Sequence, residues 1–129
     1  MVSANKKKFI KLDDVIAYKI SSELSDYVWM IVSGWDWFSK KTLGCQWVES
    51  TDSVASNIAE GWGRFHKRDK QKFYYNARGS VYESAHWLKR AGVRGLIEKK
   101  EKDFVLNKLR ILPKEINLLI KITQNKLKI

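Results

Sequence analysis

The chain has 129 residues, of which 44% are hydrophobic and 30% are charged, so global disorder is excluded. One core typically serves about 100 to 200 residues, and residues 1–129 are therefore predicted to form a single domain. Twenty-five Lys and Arg against fourteen Asp and Glu give a net charge of +11, which permits a phosphate polymer as a partner.

The cysteine and histidine content narrows the chemistry further. Cys45 is the only cysteine, which excludes a disulfide within one chain and a thiolate zinc site. His66 and His86 lie apart with no cluster of carboxylates at metal-ligand spacing, so no metal and no cofactor is expected. No apolar run approaches the roughly 18 residues of a membrane span, and the first residues lack a secretory signal. These observations predict a cytoplasmic protein without a membrane partner.

Apolar residues recur at steps of three or four in the first half of the chain, which predicts two amphipathic helices. The first covers about 12–38, with its buried stripe running from Leu12 to Phe38. "SKKTLG" at 39–44 is predicted to be a connection with Gly44 as its turn residue. The second helix covers about 46–61. Gly61 and Gly63 are predicted to close it, because glycine adopts the left-handed conformation found at helix ends.

Two further helices are predicted in the second half, over about 68–91 and 98–126. The third has a heptad-like seam, and Gly79 inside it indicates close approach of a neighbouring helix. Pro113 lies in the fourth without changing the phase of its apolar residues, so a kink is expected rather than a stop. The fold class is therefore predicted to be all-α, an antiparallel up-down-up-down four-helix bundle. The predicted buried seam of the third helix comprises Tyr74, Ala77, Val81, Ser84, Leu88 and Ala91. That of the fourth helix comprises Val105, Leu109, Leu112, Ile116, Leu119 and Thr123.

Residues 61–95 contain nine basic and two acidic residues, a net charge of +7. Aromatic residues such as Trp62, Phe65 and Phe73 are interleaved with these cations, a mixture that can hold phosphates and stack unpaired bases. The alternative is that the aromatics belong to the core and the cations only face water. The candidate nucleic-acid contacts are Arg64, Lys67, Arg68, Lys70, Lys72 and Arg78.

No catalytic residue is predicted. Gly61-Trp62-Gly63 follows a helix and lacks the lysine and hydroxyl of a phosphate-binding loop. Glu60 and Glu83 have the side-chain chemistry of a general acid and a general base, but no nucleophile or oxyanion site accompanies them in the sequence. The favoured interpretation is that these groups satisfy helix ends or pair with Arg64 or Arg78. The protein is therefore predicted not to be an enzyme.

Two blocks of the sequence, "SNIAEGWGR" at 56–64 and "ARGSVYE" at 77–83, resemble the signature of the four-helix bundle proteins of 23S rRNA intervening sequences. That family is similar to the accessory variability protein of diversity-generating retroelements. The resemblance implies the bundle, a ring-shaped homopentamer, and RNA, DNA or a reverse transcriptase as partner. It implies no established enzymatic activity. The motif residues that carry structure are Asn57, Glu60, Gly61, Gly63, Gly79 and Glu83.

Two functions are compatible with this pattern. The first is a non-catalytic, oligomeric module that binds RNA or DNA through a basic surface without sequence specificity. The alternative is a protein-interaction scaffold, for example an accessory partner of a reverse transcriptase. The six tryptophans favour an oligomer in both cases, because one small bundle has difficulty burying all of them.

Overall fold

The computed structural model describes residues 10–126, and this part of the chain contains helices and no strand. Four long helices form the bundle: α1 (Ile16–Ser33), α2 (Cys45–Gly63), α3 (Lys67–Val93) and α4 (Lys99–Lys126). Consecutive helices pack against each other, and α1 also packs against α4, so the four helices enclose one core. The predicted four-helix bundle is confirmed. None of the helices formed by residues 10–126 has an apolar stretch that could span a bilayer.

The contact between α2 and α3 shows the antiparallel arrangement. The Ser80 hydroxyl donates to the Ser53 hydroxyl at 3.0 Å, and four residues later Ser84 donates to Ser50 at 3.1 Å. Residue numbers thus rise along α3 as they fall along α2. Small side chains at these positions let the two helix backbones approach each other closely.

The seams predicted for the last two helices agree closely with the buried residues. All six predicted seam residues of α3 are buried. In α4 the prediction fails only at Leu119, which is partly buried while its neighbour Ile120 is buried. The helix continues through Pro113, as predicted. The largest fully buried side chains of the core are Trp47 and Tyr74.

The first helix is shorter than predicted. A 3-10 turn at Leu12–Asp14 precedes α1, which ends at Ser33, and the predicted stripe residue Phe38 is 68% exposed. The cause lies in Asp36, whose extended backbone breaks the helix and whose carboxylate accepts the Ser39 amide at 3.0 Å. This side-chain cap begins a new turn in another direction.

The predicted connection at 39–44 is helical instead. One α-helical turn at Trp37–Ser39 continues as a π-helical turn at Lys40–Gly44, which leads into α2 without a loop. Gly44 has helical dihedral angles, so it is not a turn residue. A Cβ atom there would lie 2.7 Å from Cγ1 of Val32, so the absence of a side chain lets this segment contact α1.

The glycines at the helix ends also differ from the prediction. Gly61 and Gly63 are both helical, and α2 ends because the backbone of Arg64 is extended. Among the glycines of the described residues, Gly95 alone has a positive φ, 69°, and it follows the end of α3. The Leu96 amide there donates to the Ala91 carbonyl at 3.0 Å, the pattern of a Schellman motif.

Tyr74 makes the stability of the fold depend on pH in the alkaline range. Burial raises the pKa of its phenol from 10.0 to about 12, so the unfolded chain loses this proton first. Stability contributed by Tyr74 is therefore complete below pH 10 and decreases as the pH rises towards 12. We expect Tyr74→Phe to remove this component from the free energy of unfolding, measured by urea titration at several alkaline pH values. Tyr82→Phe, at an exposed site, serves as the control and should behave like the wild type.

Candidate nucleic-acid interface

All of the predicted contacts except Arg78 lie near the junction of α2 and α3. We call Arg64, Lys67, Arg68 and Lys72 the basic corner. His66 precedes the first residue of α3, and no side chain caps this helix start. The amide groups of the first turn therefore point outward with the positive end of the helix dipole.

Lys67 and Arg68 line an open polar cavity of about 650 Å³ at the start of α3, together with Asp69 of the same turn and Gln124 of α4. Neither cation forms an ion pair with any residue between 10 and 126. Lys72 follows Arg68 by one turn, is exposed, and has its ammonium 5.8 Å from the centre of the Phe73 ring. These three cations are available to a ligand.

Phe65 lies in the sequence between Arg64 and the other three residues of the basic corner, and its side chain is 86% exposed. Its ring meets His66 edge-on, with 5.1 Å between the ring centres. A phenyl ring so exposed contributes little to the stability of the fold through burial, and its faces are open for stacking. Phe65 is one of the aromatic residues interleaved with the cations in the sequence, and it is not among the six predicted contacts.

Lys70 has a structural contact instead of a free ammonium group. Its Nζ donates to the carbonyl of Trp62 at 2.9 Å and to that of Gly61 at 3.3 Å. Burial lowers the pKa of Lys70, although the two carbonyls favour the charged form. The ammonium caps the end of α2, so we exclude Lys70 from the interface.

Arg64 and Arg78 are partly engaged. The guanidinium of Arg64 pairs with Glu60 at 2.6 Å and lies 4.8 Å from the centre of the Phe73 ring. Both members of this pair are exposed, so a phosphate can compete for Arg64. Arg78 donates to Asn117 of α4 and follows Arg68 by roughly 15 Å along α3. Arg78 therefore lies outside the basic corner.

The motif carboxylates have local partners. Glu60 pairs with Arg64, which is one of the predicted alternatives, whereas Glu83 accepts the indole N–H of Trp87 at 3.2 Å. Because α2 and α3 are antiparallel, Glu60 lies level with Tyr74, so Glu83 is about 13 Å further along the bundle. The two carboxylates do not form an acid–base pair.

The remaining motif residues serve α2 and its contact with α3. The Asn57 amide donates to the carbonyl and the hydroxyl of Ser53, at 2.8 and 3.0 Å. A Cβ atom at Gly61 would lie 2.7 Å from the Tyr74 ring, whereas at Gly63 and Gly79 it would meet no atom within 4 Å. The predicted close approach of a neighbouring helix at Gly79 is therefore wrong within the subunit, and Gly61 is where it occurs.

A second concave surface, which the sequence analysis missed, lies at the opposite end of the bundle. It has a volume of about 600 Å³ and is lined by Trp29 of α1 and by Trp37 and Lys41 from the segment before α2. Its signal in the sequence is indirect, because Trp29 and Trp37 line one cavity in a chain that changes direction between the end of α1 and Asp36. The described residues contain no cluster of His, Cys, Asp and Glu suited to a metal.

The sequence and the fold are both similar to those of known proteins. Residues 13–118 match the 23S rRNA-intervening sequence protein family. The fold is similar to the 1.70 Å crystal structure of a protein with unknown function from the S23 ribosomal protein family, from Bacteroides thetaiotaomicron. The TM-score is 0.73 at 17% identity, over 82% of this chain and 99% of that chain. No curated protein matches. The family match covers most of the sequence, and the chain therefore belongs to the 23S rRNA-intervening sequence protein family.

Proposed function

We propose that the protein is a non-catalytic, oligomeric module that binds RNA or DNA through the basic corner without sequence specificity. The observation that carries this proposal is the group of three cations free of ion pairs within residues 10–126, Lys67, Arg68 and Lys72, beside the 86% exposed ring of Phe65. Cations hold the phosphates of a strand, and an aromatic ring holds its bases.

The start of α3 supports an anionic ligand. The helix is 27 residues long, and its first turn, which has no side-chain cap, lies beside the cavity that Lys67, Arg68 and Asp69 line, where two positive charges face one negative charge. Amide groups at a helix start bind phosphate oxygens, and the helix dipole adds to the attraction. The cavity is open, which suits a polymer that passes across it.

Phe65 favours single strands over duplexes. A base contributes its flat face only when it is unpaired and turned out of the helical stack. The basic corner contributes lysines and arginines for phosphates, which position a strand without specifying its sequence. We therefore propose unpaired regions of RNA or DNA as the ligand.

The oligomer we propose is the homopentamer that the resemblance implies. Exposed apolar side chains on three helices, including Met30, Tyr82 and Leu118, are candidates for burial between copies. Repetition of the basic corner in a ring increases the affinity for a long strand, because each further contact becomes intramolecular. Light scattering of the purified full chain tests this part of the proposal, and five times the 15.1 kDa mass is expected.

Anisotropy of labelled oligonucleotides tests the function. We expect the full chain to bind unrelated single-stranded RNA and DNA, and duplex DNA more weakly. The logarithm of the association constant should fall linearly with the logarithm of salt concentration, by roughly 0.7 for each phosphate contact on a single strand. Absence of binding at low salt would contradict the proposal.

A second candidate function is a protein-interaction scaffold with a reverse transcriptase as partner. Exposed Phe38 supports it, since this ring lines a cavity of about 410 Å³ with Arg94 and Leu96, away from the basic corner. A purified reverse transcriptase that binds after nuclease treatment, and fails to bind Phe38→Ser, would favour this candidate. Equal binding by the variant would place the contact elsewhere.

A further inference from the structure

The cavity at the far end of the bundle, which we call the tryptophan pocket, lies between the end of α1 and the start of α2. Its volume of about 600 Å³ is in the range of small-molecule sites. The residues that give it its chemical character are Trp29, Val32, Trp37, Lys40, Lys41 and Cys45.

Two indole rings dominate this surface. Trp29 is 64% exposed and Trp37 is 70% exposed, although burying such a ring is strongly favourable. Exposed apolar groups that line one cavity indicate a binding site better than scattered ones do. Indole rings offer large flat faces, and these match a planar aromatic ligand.

The charges around the tryptophan pocket indicate a negative ligand. Lys40 and Lys41 line it together with one carboxylate, that of Glu49, which leaves one positive charge in excess. The ammonium of Lys41 lies 4.7 Å from the centre of the Trp37 ring, so one side of that indole already has a cation near it. A flat ring that carries an anionic group complements both features.

The backbone holds this arrangement in place before any ligand arrives. The Asp36 carboxylate accepts the Ser39 hydroxyl at 2.8 Å as well as the Ser39 amide, which fixes the turn that bears Trp37. The two lysines lie on the π-helical turn, a conformation that is found often at functional sites. Gly44 holds that turn against Val32 of α1.

We propose that the tryptophan pocket binds one unpaired nucleotide, with the base stacked on Trp29 or Trp37 and the phosphate beside Lys40 and Lys41. This inference rests on the proposed function and adds a second contact at the other end of the bundle. Few polar atoms line the pocket, so it accepts a base by its face and does not read the base edge. A two-fold contact between two copies of this face would bring the lysine pairs together, which charge repulsion opposes, and the contacts of a ring join different faces of neighbouring subunits.

Cys45 provides a direct measure of occupancy. It is the only cysteine of the chain, it is exposed, and it lines the tryptophan pocket. The rate at which the full-length protein reacts with a thiol reagent such as dithionitrobenzoate therefore reports access to the pocket. We expect both adenosine monophosphate and a single-stranded oligoadenylate to slow this reaction and to quench tryptophan fluorescence.

Two neighbouring aromatics form a matched pair of variants. Trp37→Ala should raise the adenosine monophosphate concentration needed for half protection by about tenfold, the order of one base–aromatic stack. Phe38→Ala removes an equally exposed ring that lies outside the tryptophan pocket and should leave protection unchanged. Equal protection in the wild type and in Trp37→Ala would overturn the inference.

The outcomes separate the inference from the proposed function. Oligoadenylate that binds by anisotropy but leaves the Cys45 rate unchanged overturns the inference and leaves the proposed function intact. Oligoadenylate that does not bind contradicts the proposed function, and protection by adenosine monophosphate alone then decides the inference. If the rate of Cys45 modification decreases as the protein concentration increases in the absence of nucleotide, a second copy covers this face and the inference is overturned. Protection by an acidic peptide but not by nucleotide overturns it as well.

Discussion

Simultaneous replacement of Lys67, Arg68 and Lys72 by glutamate is expected to lower the affinity for single-stranded RNA by at least about 100-fold at low salt. Each of the three side chains is a proposed phosphate contact, and each reversal turns an attraction into a repulsion. The slope of log affinity against log salt should become shallower by roughly two, since about 0.7 is lost for each contact. Fluorescence anisotropy over a salt series measures both quantities.

The fold of this variant should be intact. Residues 67 and 68 open α3, where glutamate interacts favourably with the positive end of the helix dipole. None of the three side chains forms an ion pair with another residue of the described chain. Circular dichroism and the urea midpoint should therefore match those of the wild type, so that a loss of binding reports on the surface alone.

A matched variant controls for net charge. Lys99, Lys100 and Lys102 are exposed near the start of α4, at the other end of the bundle, and Lys99 forms an exposed ion pair with Asp103 at 2.9 Å, which contributes little to stability. Their replacement by glutamate changes the net charge from +11 to +5, because each of three reversals removes two charges, as in the first variant. We expect this control to keep most of the affinity. Equal losses in both variants would attribute binding to overall charge and contradict the role of the basic corner.

The helices of the second half were predictable because their sequence pattern and their packing share one period. The α3 seam repeats at three and four residues without interruption, and one neighbour on each side buries it. The end of α1 was not predictable in this way. Periodic apolar residues continue to Phe38, and only the hydrogen bond from Ser39 to Asp36 shows that the chain has turned.

The candidate site was predictable as a region and not residue by residue. Composition locates the excess charge correctly, but it does not distinguish Lys70, which caps α2, from Lys72, which is exposed. A signal was present, because Lys70 lies one turn before the seam residue Tyr74 and so points inward. Predicting the tryptophan pocket would have required the direction in which the turn bearing Trp37 leaves α1, and the spacing of apolar residues does not contain this information.

The expected effect of Gly61→Ala on stability is also large. A Cβ atom at this position would lie 2.7 and 2.9 Å from two Tyr74 ring carbons and 3.2 Å from the carbonyl oxygen of Lys70. Tyr74 is fully buried, so its ring has little room to move. Overpacking of this kind costs about 1 to 3 kcal/mol, and the higher helix propensity of alanine offsets up to about 1 kcal/mol of it. Urea unfolding should show a net destabilisation.

Gly79→Ala is the matched substitution, at a helical glycine whose Cβ would meet no atom within 4 Å. It should stabilise the subunit by up to about 1 kcal/mol, through helix propensity alone. The two variants are thus expected to shift the urea midpoint in opposite directions, at protein concentrations low enough to exclude assembly. A shift of the same sign in both would show that the contact with Tyr74 does not decide the effect.

Tyr74→Leu provides the decisive second mutation for Gly61→Ala. Leucine lacks the ring carbons that the new methyl group would strike, so the double variant should regain part of the stability lost by Gly61→Ala alone, as an interaction energy in a double-mutant cycle. The same close contact places the end of α2 where Lys70 can cap the carbonyls of Gly61 and Trp62. Because α3 begins directly beyond this cap, the glycine of the "SNIAEG" block positions the basic corner and is not itself one of the proposed ligand contacts. Gly61→Ala should therefore also weaken RNA binding, whereas Gly79→Ala should leave it unchanged.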